Sequence, residues 1–454
     1  MPASINPATG KTVAEHAFLS DAALDAALTR AADTARCQGL TRLADRVARV
    51  HALADALDAD ADRLARLATD EMGKPLAQAR AEVHKCAVAS RALADAAEAA
   101  LADDPRRTEA YRSFVAYEAP GAVLAVMPWN FPYWQAVRAA VPVVLAGGTV
   151  LLKHAPNVLG CGDALARLFA EAGLGDGVFQ HVPVETERVA AMIADPRVAA
   201  VTLTGSEGAG RAVGAQAGAA LKPCVLELGG SDPFVVLADA DLDRAVETGV
   251  WARTQNNGQS CIAAKRFVVE APVAEAFTER FAARMAALVV GDPLDAATDV
   301  GPLARADLRE TVGDQTRRAV AEGARLVVGG GVPDGPGFYY PPTVLAGVAE
   351  GSVPYREEIF GPVAAVTVAR DADDAVRLAN ATRFGLGASV WTRDLDRGEA
   401  VARRLRAGLV SVNALVASHP ALPFGGVGAS GLGRELGREG LRQFAALKSV
   451  WMEP

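Results

Sequence analysis

The stretch that decides the fold covers residues 122–152, AVLAVMPWNFPYWQAVRAAVPVVLAGGTVLL. Short apolar runs open and close it, at residues 122–126 and 149–152, and a segment of helical length lies between them. A strand, a helix and a second strand in this order, with both strands apolar throughout, are typical of a parallel sheet covered by helices on both faces. We therefore expect an α/β fold around this stretch.

The same alternation continues towards the C-terminus. Apolar runs at residues 178–182 and 198–203 extend the first unit, and a second alternating region covers about residues 228–425. The strands expected in that region are residues 234–237, 266–269, 363–368 and 387–391. The chain therefore contains two α/β units.

The first hundred residues are predicted to form helices that cover a sheet. Apolar residues recur there at steps of three and four, for example at Leu43, Val47, Val50, Ala54 and Leu57. Ser20 before Asp21 is a helix start signal, and Gly73-Lys74-Pro75 is a stop signal.

Composition excludes several classes of protein. The 454 residues are 51% hydrophobic and 22% charged, which indicates a packed chain, and the net charge of −8 without a basic block disfavours nucleic-acid binding. Residues 119–137 lack charge but contain three prolines, so no membrane span is expected. Five widely spaced cysteines without a CxxC pair and six scattered histidines predict neither disulfides nor a metal site, and suit a cytoplasmic location.

Cys261 is the cysteine whose surroundings favour chemistry. It ends the polar loop Asn256-Asn257-Gly258-Gln259-Ser260-Cys261, just before an apolar strand. Most single cysteines are buried packing residues, but a thiolate in this loop would be exposed and surrounded by amide donors. The other four cysteines lie in helical or strand patterns and are expected to be structural or incidental.

Three further segments place polar groups or glycines at strand ends. Glu227, in an apolar strand before two glycines, is a candidate general base because burial raises a carboxyl pKa; a sheet-edge glutamate is the alternative. Asn130 can donate to an oxyanion, or it is a turn residue between two prolines. Gly205 and Gly210 at a helix start would let a pyrophosphate approach the backbone, although a tight turn has the same pattern.

Together these segments resemble the aldehyde dehydrogenase superfamily over nearly the whole chain. The family landmarks occur in order, as Pro128-Trp129-Asn130-Phe131-Pro132, Lys153, Thr204-Gly205-Ser206, Glu227-Leu228-Gly229-Gly230, Gly258-Gln259-Ser260-Cys261, Glu358-Ile359-Phe360-Gly361-Pro362 and Pro423-Phe424-Gly425-Gly426. The chain is most similar to the short succinate-semialdehyde dehydrogenases, whose runs LLKHAPN (151–157) and LELGGSDPF (226–234) it carries.

The resemblance implies oxidation of succinate semialdehyde to succinate with NAD or NADP. Cys261 would form a thiohemiacetal and then a thioester, with the oxyanion held by the Asn130 side chain and the Cys261 amide. Glu227 would activate the hydrolytic water. Lys153 and Glu358 would bind the adenosine and nicotinamide riboses. The residues that the resemblance assigns to the cofactor are Trp129, Lys153, Pro156, Gly205, Ser206, Leu228, Glu358 and Phe360.

Two departures from the family pattern bear on specificity. Relatives that prefer NAD carry glutamate at the position of Pro156, so the choice between NAD and NADP stays open. Arg138 falls where succinate-semialdehyde dehydrogenases present an arginine to the substrate carboxylate, and the alternative is a surface arginine on a helix. A second arginine of some relatives is Gln255 here, and Ser418 or His419 would supply polar help.

By resemblance the architecture has three parts. A Rossmann-like NAD(P)-binding domain comprises residues 1–105 and 119–228, and the catalytic α/β domain comprises residues 229–428. Residues 106–118 and 429–454 form a β-arm and tail for oligomerisation, so a homodimer or homotetramer is expected.

Alternative functions stay open. The same chemistry can act on glutarate semialdehyde or on an aliphatic or aromatic aldehyde. A catalytically silent structural or binding protein on this fold is a different class, and the presence of Cys261, Glu227, Asn130 and Lys153 argues against it. A CoA-acylating enzyme is disfavoured because Glu227 supplies the hydrolytic base.

Overall fold

The computed structural model describes residues 2–454 of the chain. Its strands are β1 (Ala3–Ile5), β2 (Thr12–Glu15), β3 (Asp104–Pro105), β4 (Arg112–Glu118), β5 (Ala122–Met127), β6 (Thr149–His154), β7 (Phe179–His181), β8 (Val198–Thr204), β9 (Cys224–Glu227), β10 (Asp232–Val236), β11 (Ala264–Glu270), β12 (Arg325–Val328), β13 (Thr343–Ala346), β14 (Val363–Ala369), β15 (Gly387–Trp391), β16 (Leu409–Val412), β17 (Gly431–Leu432) and β18 (Ala446–Met452).

The α-helices are α1 (Asp21–Gln38), α2 (Leu43–Ala59), α3 (Ala61–Met72), α4 (Leu76–Leu101), α5 (Trp134–Leu145), α6 (Leu159–Glu171), α7 (Arg188–Ala194), α8 (Glu207–Ala219), α9 (Leu242–Thr254), α10 (Ala271–Ala286), α11 (Ala306–Ala321), α12 (Val353–Arg356), α13 (Ala372–Ala379), α14 (Leu395–Ala402) and α15 (Gly437–Arg442). All eight predicted strands are present, and their ends differ from the predicted ends by at most two residues.

The first sheet has six strands in the order β17-β9-β8-β5-β6-β7. Strands β5 to β9 run parallel, and the short β17 pairs antiparallel with β9. Alternate residues of β5 enter different cores: Val123 packs with α2, α4 and α5, whereas Leu124 packs with α1 and α8 on the opposite face. This two-sided burial explains why the strand is apolar throughout, as the sequence indicated.

The second sheet has seven strands in the order β12-β13-β14-β11-β10-β15-β16, and all but β12 are parallel. Aromatic side chains fill one face, where Phe234 and Phe267 pack against Phe277 of α10. Helices α13 and α14 cover the other face. The prediction of two α/β units built on parallel strands is confirmed.

A third sheet joins the two segments that fitted neither unit. Strand β18 pairs antiparallel with the whole of β4, and β3 pairs with the other edge of β4. Leu447 and Trp451 of β18 are 69% and 50% exposed. The arm is therefore a real sheet with an apolar exposed surface, and its role in assembly stays a prediction.

The N-terminal region departs from the all-helical expectation. Strands β1 and β2 form an antiparallel hairpin, closed where Asn6 N donates to Lys11 O at 2.8 Å. Ser4 of this hairpin is buried and donates to Glu71 at 2.6 Å. The helix signals are confirmed: Ser20 caps α1 by accepting from Ala23 N, and α3 ends before Gly73 at a left-handed φ of 81°. The hairpin was missed because its strands are short and half polar.

Among the described residues, no helix combines the length and the apolar character that a membrane crossing requires. In the same part of the chain, His, Cys, Asp and Glu side chains do not gather into a group of three that could hold a metal ion.

Candidate active site

Cys261 lines a cavity of about 310 Å³ between the two parallel sheets. We call it the Cys261 cavity; its other polar and aromatic lining includes Glu82, Lys85, Trp134, Arg138, Gln255 and Ser418. Four separate segments of the chain contribute these side chains, since α4, α5, the loop before β11 and the loop after β16 all reach the cavity. Of the predicted substrate residues, the structure therefore brings Arg138, Gln255 and Ser418 together with Cys261.

The backbone before Cys261 turns through three consecutive left-handed residues. Asn256, Asn257 and Gly258 have φ values of 56°, 59° and 74°. Asparagine tolerates this region because its side chain can bond locally, and Asn256 Nδ2 donates to Gln259 O at 2.9 Å. A Cβ on Gly258 would lie 2.4 Å from the carbonyl carbon of Gly361. The loop sequence is thus dictated by the turn that presents Cys261.

The Cys261 side chain is half-buried rather than exposed, which corrects the sequence expectation. Burial raises the pKa of the thiol to about 12, although Lys265 and Arg138 act in the opposite direction. Lys265 Nζ donates to Cys261 O at 2.5 Å and pairs with Glu358 at 3.0 Å. A neutral thiol is therefore the resting form, and thiolate chemistry needs a proton acceptor.

Asn130 lies beside the same loop. Its side-chain Nδ2 donates to Gln259 O at 3.1 Å. The backbone carbonyl of Asn130 accepts from Lys74 Nζ at 2.9 Å and from Asn256 Nδ2 at 2.8 Å. These bonds hold the buried Asn130 amide against the turn that leads to Cys261. The amide has a second N–H, so it can donate to a charge that develops on a substrate oxygen there.

Glu227 ends β9 and is buried with a raised pKa. Both carboxyl oxygens are buried without a hydrogen-bond partner in the described chain. Burial raises the pKa of Glu227 well above its ordinary value, Glu435 raises it further, and Arg138 and Arg434 oppose this. Glu227 is not among the residues that line the Cys261 cavity, but Arg138, which does line it, acts on both groups.

Arg138 is committed to a carboxylate of the chain itself. It is buried on α5, where Nε pairs with Glu435 and Nη2 donates to Thr204 Oγ1 at 3.4 Å. Its guanidinium also lies 4.7 Å from the centre of the Phe424 ring. The alternative of a surface arginine is wrong, because the apolar pattern around Arg138 belongs to a helix buried on all sides. The guanidinium of Arg138 is not free either, since it is paired with Glu435.

The cavity contains one cation that sequence reasoning missed. Lys85 on α4 lies 4.5 Å from the centre of the Trp134 ring and donates to Ser418 Oγ at 2.7 Å. Burial and the nearby Arg138 lower the pKa of Lys85 to about 8. The contact between α4 and the loop after β16 exists only in the folded chain. For this reason no sequence pattern distinguishes Lys85 from the other lysines on helices.

The carboxyl edge of the first sheet carries several of the predicted cofactor residues. Lys153 is the penultimate residue of β6, its side chain is mostly buried, and in residues 2–454 it has neither a hydrogen bond nor an ion pair. Pro156 is exposed beyond it. Ser206 caps α8 by accepting from Ala209 N at 3.3 Å, directly after Gly205. Because β6 and β8 both run parallel to β5, Lys153 and the N-terminus of α8 lie at the same edge of the sheet, and together they suit a phosphorylated ribose and a pyrophosphate.

The remaining predicted cofactor residues lie between the sheets. Trp129 and Phe360 meet edge to face, with ring centres 5.8 Å apart. Glu358 accepts from Gly230 N at 3.1 Å, and a Cβ on Gly229 would lie 2.1 Å from Glu358 Oε2, so glycine is required there. Leu228, which is buried, precedes these two glycines in the chain. The donors and small residues present fit a dinucleotide.

Comparison with known proteins places the chain among well-described relatives. The model of the aldehyde dehydrogenase family matches residues 2–450. A Mycobacterium tuberculosis protein named succinate-semialdehyde dehydrogenase [NADP(+)] 1 is 51% identical over 453 residues, covering 99% of each chain.

Two solved structures have nearly the same fold. The succinic semialdehyde dehydrogenase of Streptococcus pyogenes, in complex with NADP+, matches with a TM-score of 0.98 at 34% identity and covers 100% of both chains. An NAD-dependent aldehyde dehydrogenase of Sinorhizobium meliloti matches with a TM-score of 0.97 at 35% identity, covering 100% of this chain and 91% of its own.

Proposed function

The chain belongs to the aldehyde dehydrogenase family, and we propose that it oxidises succinate semialdehyde to succinate with NADP or NAD as cofactor. The observation that carries the choice of substrate is the likeness, over 99% of both chains, to the succinate-semialdehyde dehydrogenase of Mycobacterium tuberculosis. The cavity supports it, because Cys261 shares its walls with the cations Arg138 and Lys85. Lys85, which has no carboxylate partner in residues 2–454, favours an aldehyde that carries a carboxylate.

In the first step, the Cys261 thiolate adds to the aldehyde carbon and forms a thiohemiacetal. Since the pKa of the thiol is about 12, its proton must pass to a base before or during the attack. Asn130 Nδ2 and the Cys261 backbone N–H are the donors proposed for the developing oxyanion. Asn130 is preorganised for this role by its bond to Gln259 O.

The bound nicotinamide cofactor would supply the hydride acceptor that converts the aldehyde carbon to the oxidation level of an acid. Lys153, Pro156, Gly205, Ser206 and Leu228 are proposed to hold its adenosine and pyrophosphate end. Trp129, Glu358 and Phe360 are proposed for its nicotinamide end. Lys153 supports this assignment because its buried ammonium has no partner within the described chain.

In the last step, a water molecule attacks the Cys261 thioester, and Glu227 accepts its proton. The raised pKa of Glu227 suits this role, because a carboxylate whose pKa is raised by burial binds a proton more strongly than an ordinary carboxylate does. The carboxylate product then leaves, and the thiolate returns. Retention of this base supports a hydrolytic rather than an acyl-transferring enzyme.

The proposal includes three finer points. Residues 1–105 with 119–228 form the cofactor domain, and residues 229–428 form the catalytic domain. The β4–β18 arm, predicted as residues 106–118 and 429–454, assembles the chain into a homodimer or homotetramer, supported by its exposed Leu447 and Trp451. Within the predicted range, β17 (Gly431–Leu432) pairs instead with β9 of the first sheet. Light scattering after gel filtration tests the assembly, and a monomer would contradict it.

A steady-state panel tests the proposed reaction. Succinate semialdehyde, glutarate semialdehyde, propanal and benzaldehyde are each assayed with NADP and with NAD. We expect kcat/KM for succinate semialdehyde to lead by about tenfold or more, which corresponds to about 1.4 kcal/mol of transition-state binding. A lead by an uncharged aldehyde would leave the family assignment intact and refute the substrate.

A further inference from the structure

We propose that Lys85, together with Ser418, is the group that binds the carboxylate end of the aldehyde substrate in the Cys261 cavity. This inference rests on the proposed function, and it identifies which side chains provide the selectivity for an anionic aldehyde. The two residues lie 333 positions apart in the chain and meet at the cavity wall, where Lys85 Nζ donates to Ser418 Oγ at 2.7 Å.

The other charged side chains of the Cys261 cavity are already neutralised within the chain. Arg138 pairs with Glu435. Glu82 pairs with Lys74, and its second oxygen accepts from the backbone amides of Tyr133 and Trp134, both at 2.9 Å. Lys85 has no carboxylate partner in residues 2–454. It is therefore the cavity cation whose charge is available to a substrate.

Keeping Lys85 charged in its present surroundings is costly. A half-buried ammonium that has only a hydroxyl and the Trp134 ring as partners is poorly compensated, and accordingly its pKa is lowered to about 8. A substrate carboxylate would supply the missing negative charge in a water-poor cavity, where charge-assisted hydrogen bonds are strong. Ser418 can turn its hydroxyl and add a second donor to the same carboxylate.

Lys85 is held in the wall of the Cys261 cavity by α4. Gln78, Glu82 and Lys85 lie on one face of α4 and all line the Cys261 cavity, so the helix carries Lys85 as a fixed part of the wall. Ser418 lies in the loop that follows β16, opposite α4. A carboxylate between them would hold the chain of the aldehyde with its reactive carbon towards Cys261.

The test compares Lys85→Met with the wild type on succinate semialdehyde and on butanal, which has the same four-carbon chain without the carboxylate. We expect kcat/KM for succinate semialdehyde to fall by about tenfold or more through a higher KM, and kcat/KM for butanal to stay within about twofold. Lys85→Arg keeps the charge and should retain most of the selectivity. Lys11→Met, an exposed lysine far from the cavity, is the matched control.

A second measurement separates this inference from the proposed function. Succinate is added as an inhibitor of butanal oxidation, and we expect Lys85→Met to weaken its inhibition by about tenfold. A wild type that prefers butanal would refute succinate semialdehyde as the substrate, while the succinate titration still decides the role of Lys85. Equal losses on both aldehydes, or unchanged inhibition by succinate, would overturn the inference and leave Lys85 as a structural link between α4 and the loop.

Discussion

Replacing Arg138 with methionine should damage catalysis on every aldehyde rather than on charged aldehydes alone. The structure pairs this buried guanidinium with Glu435, and it also lowers the pKa of Glu227. Without it, two buried carboxyl groups, Glu227 and Glu435, lose the cation that stabilises their ionised forms. Each should then hold its proton to a higher pH, and Glu227 should be a base in a smaller fraction of molecules.

The size of the effect follows from the cost of an unpaired buried charge. Removing one partner of a buried ion pair costs about 3–5 kcal/mol. If about a third of this falls on Glu227, its pKa rises by about one unit, because one unit corresponds to 1.36 kcal/mol. On the acid side of the pH profile, kcat should then fall about tenfold. Glu435 would carry the larger share, since it is the direct partner of Arg138.

The assay is kcat against pH for succinate semialdehyde and for propanal. Both acidic limbs should move to higher pH by about one unit in Arg138→Met, and Arg138→Lys should restore most of the shift because it returns the charge. Folding raises the pKa of these two carboxyl groups, so the folded state loses stability as pH rises from their ordinary pKa towards the raised pKa. Because Arg138→Met should raise both pKa values further, the unfolding free energy of the variant should fall further at alkaline pH. A loss confined to succinate semialdehyde, with propanal unaffected, would refute this reasoning and return Arg138 to the substrate carboxylate.

Three further predictions follow from individual contacts. Pro156→Glu should raise the ratio of kcat/KM with NAD to that with NADP, because a carboxylate can bind ribose hydroxyls and repels a 2′-phosphate; an unchanged ratio would show that Pro156 does not affect the choice. Glu435→Gln should move the acidic limb of kcat to lower pH, because a neutral neighbour no longer raises the pKa of Glu227. An unmoved limb would show that Glu435 does not affect the pKa of Glu227. Gly258→Ala should lower the urea midpoint, since its Cβ would clash with Gly361 and its φ of 74° is strained for alanine at a cost of about 1–3 kcal/mol; an unchanged midpoint would contradict the tight turn.

The fold was accessible from sequence because its strands are buried on both faces. Apolar runs such as residues 122–126 and 363–368 have few alternatives to a covered parallel strand, and both are found as strands β5 and β14. The resemblance to aldehyde dehydrogenases, the α/β fold and the enzyme class with its nicotinamide cofactor are confirmed by the full-length family match and the related proteins. The short hairpin β1–β2 was missed, since three or four residues carry too little periodicity.

The site was accessible only in part, because charge pairing is a property of the folded chain. The sequence placed Cys261, Asn130 and Glu227 at strand ends, but it could not tell that burial would raise the pKa of the thiol. Arg138 was expected to bind the substrate carboxylate; the structure brings it to the Cys261 cavity and also pairs it with Glu435, 297 positions later, which the sequence did not indicate. Lys85 lies on α4, and only the packing of the folded chain brings it to the Cys261 cavity.

The central claim, a thioester on Cys261 that Glu227 hydrolyses, is tested most directly by intact-protein mass spectrometry of Glu227→Gln. The variant is mixed with succinate semialdehyde and NADP, and the reaction is stopped after the first turnover. We expect one equivalent of NADPH and a persistent succinyl adduct, which peptide mapping assigns to Cys261. One equivalent of NADPH without an adduct, or undiminished steady turnover by the variant, would contradict it.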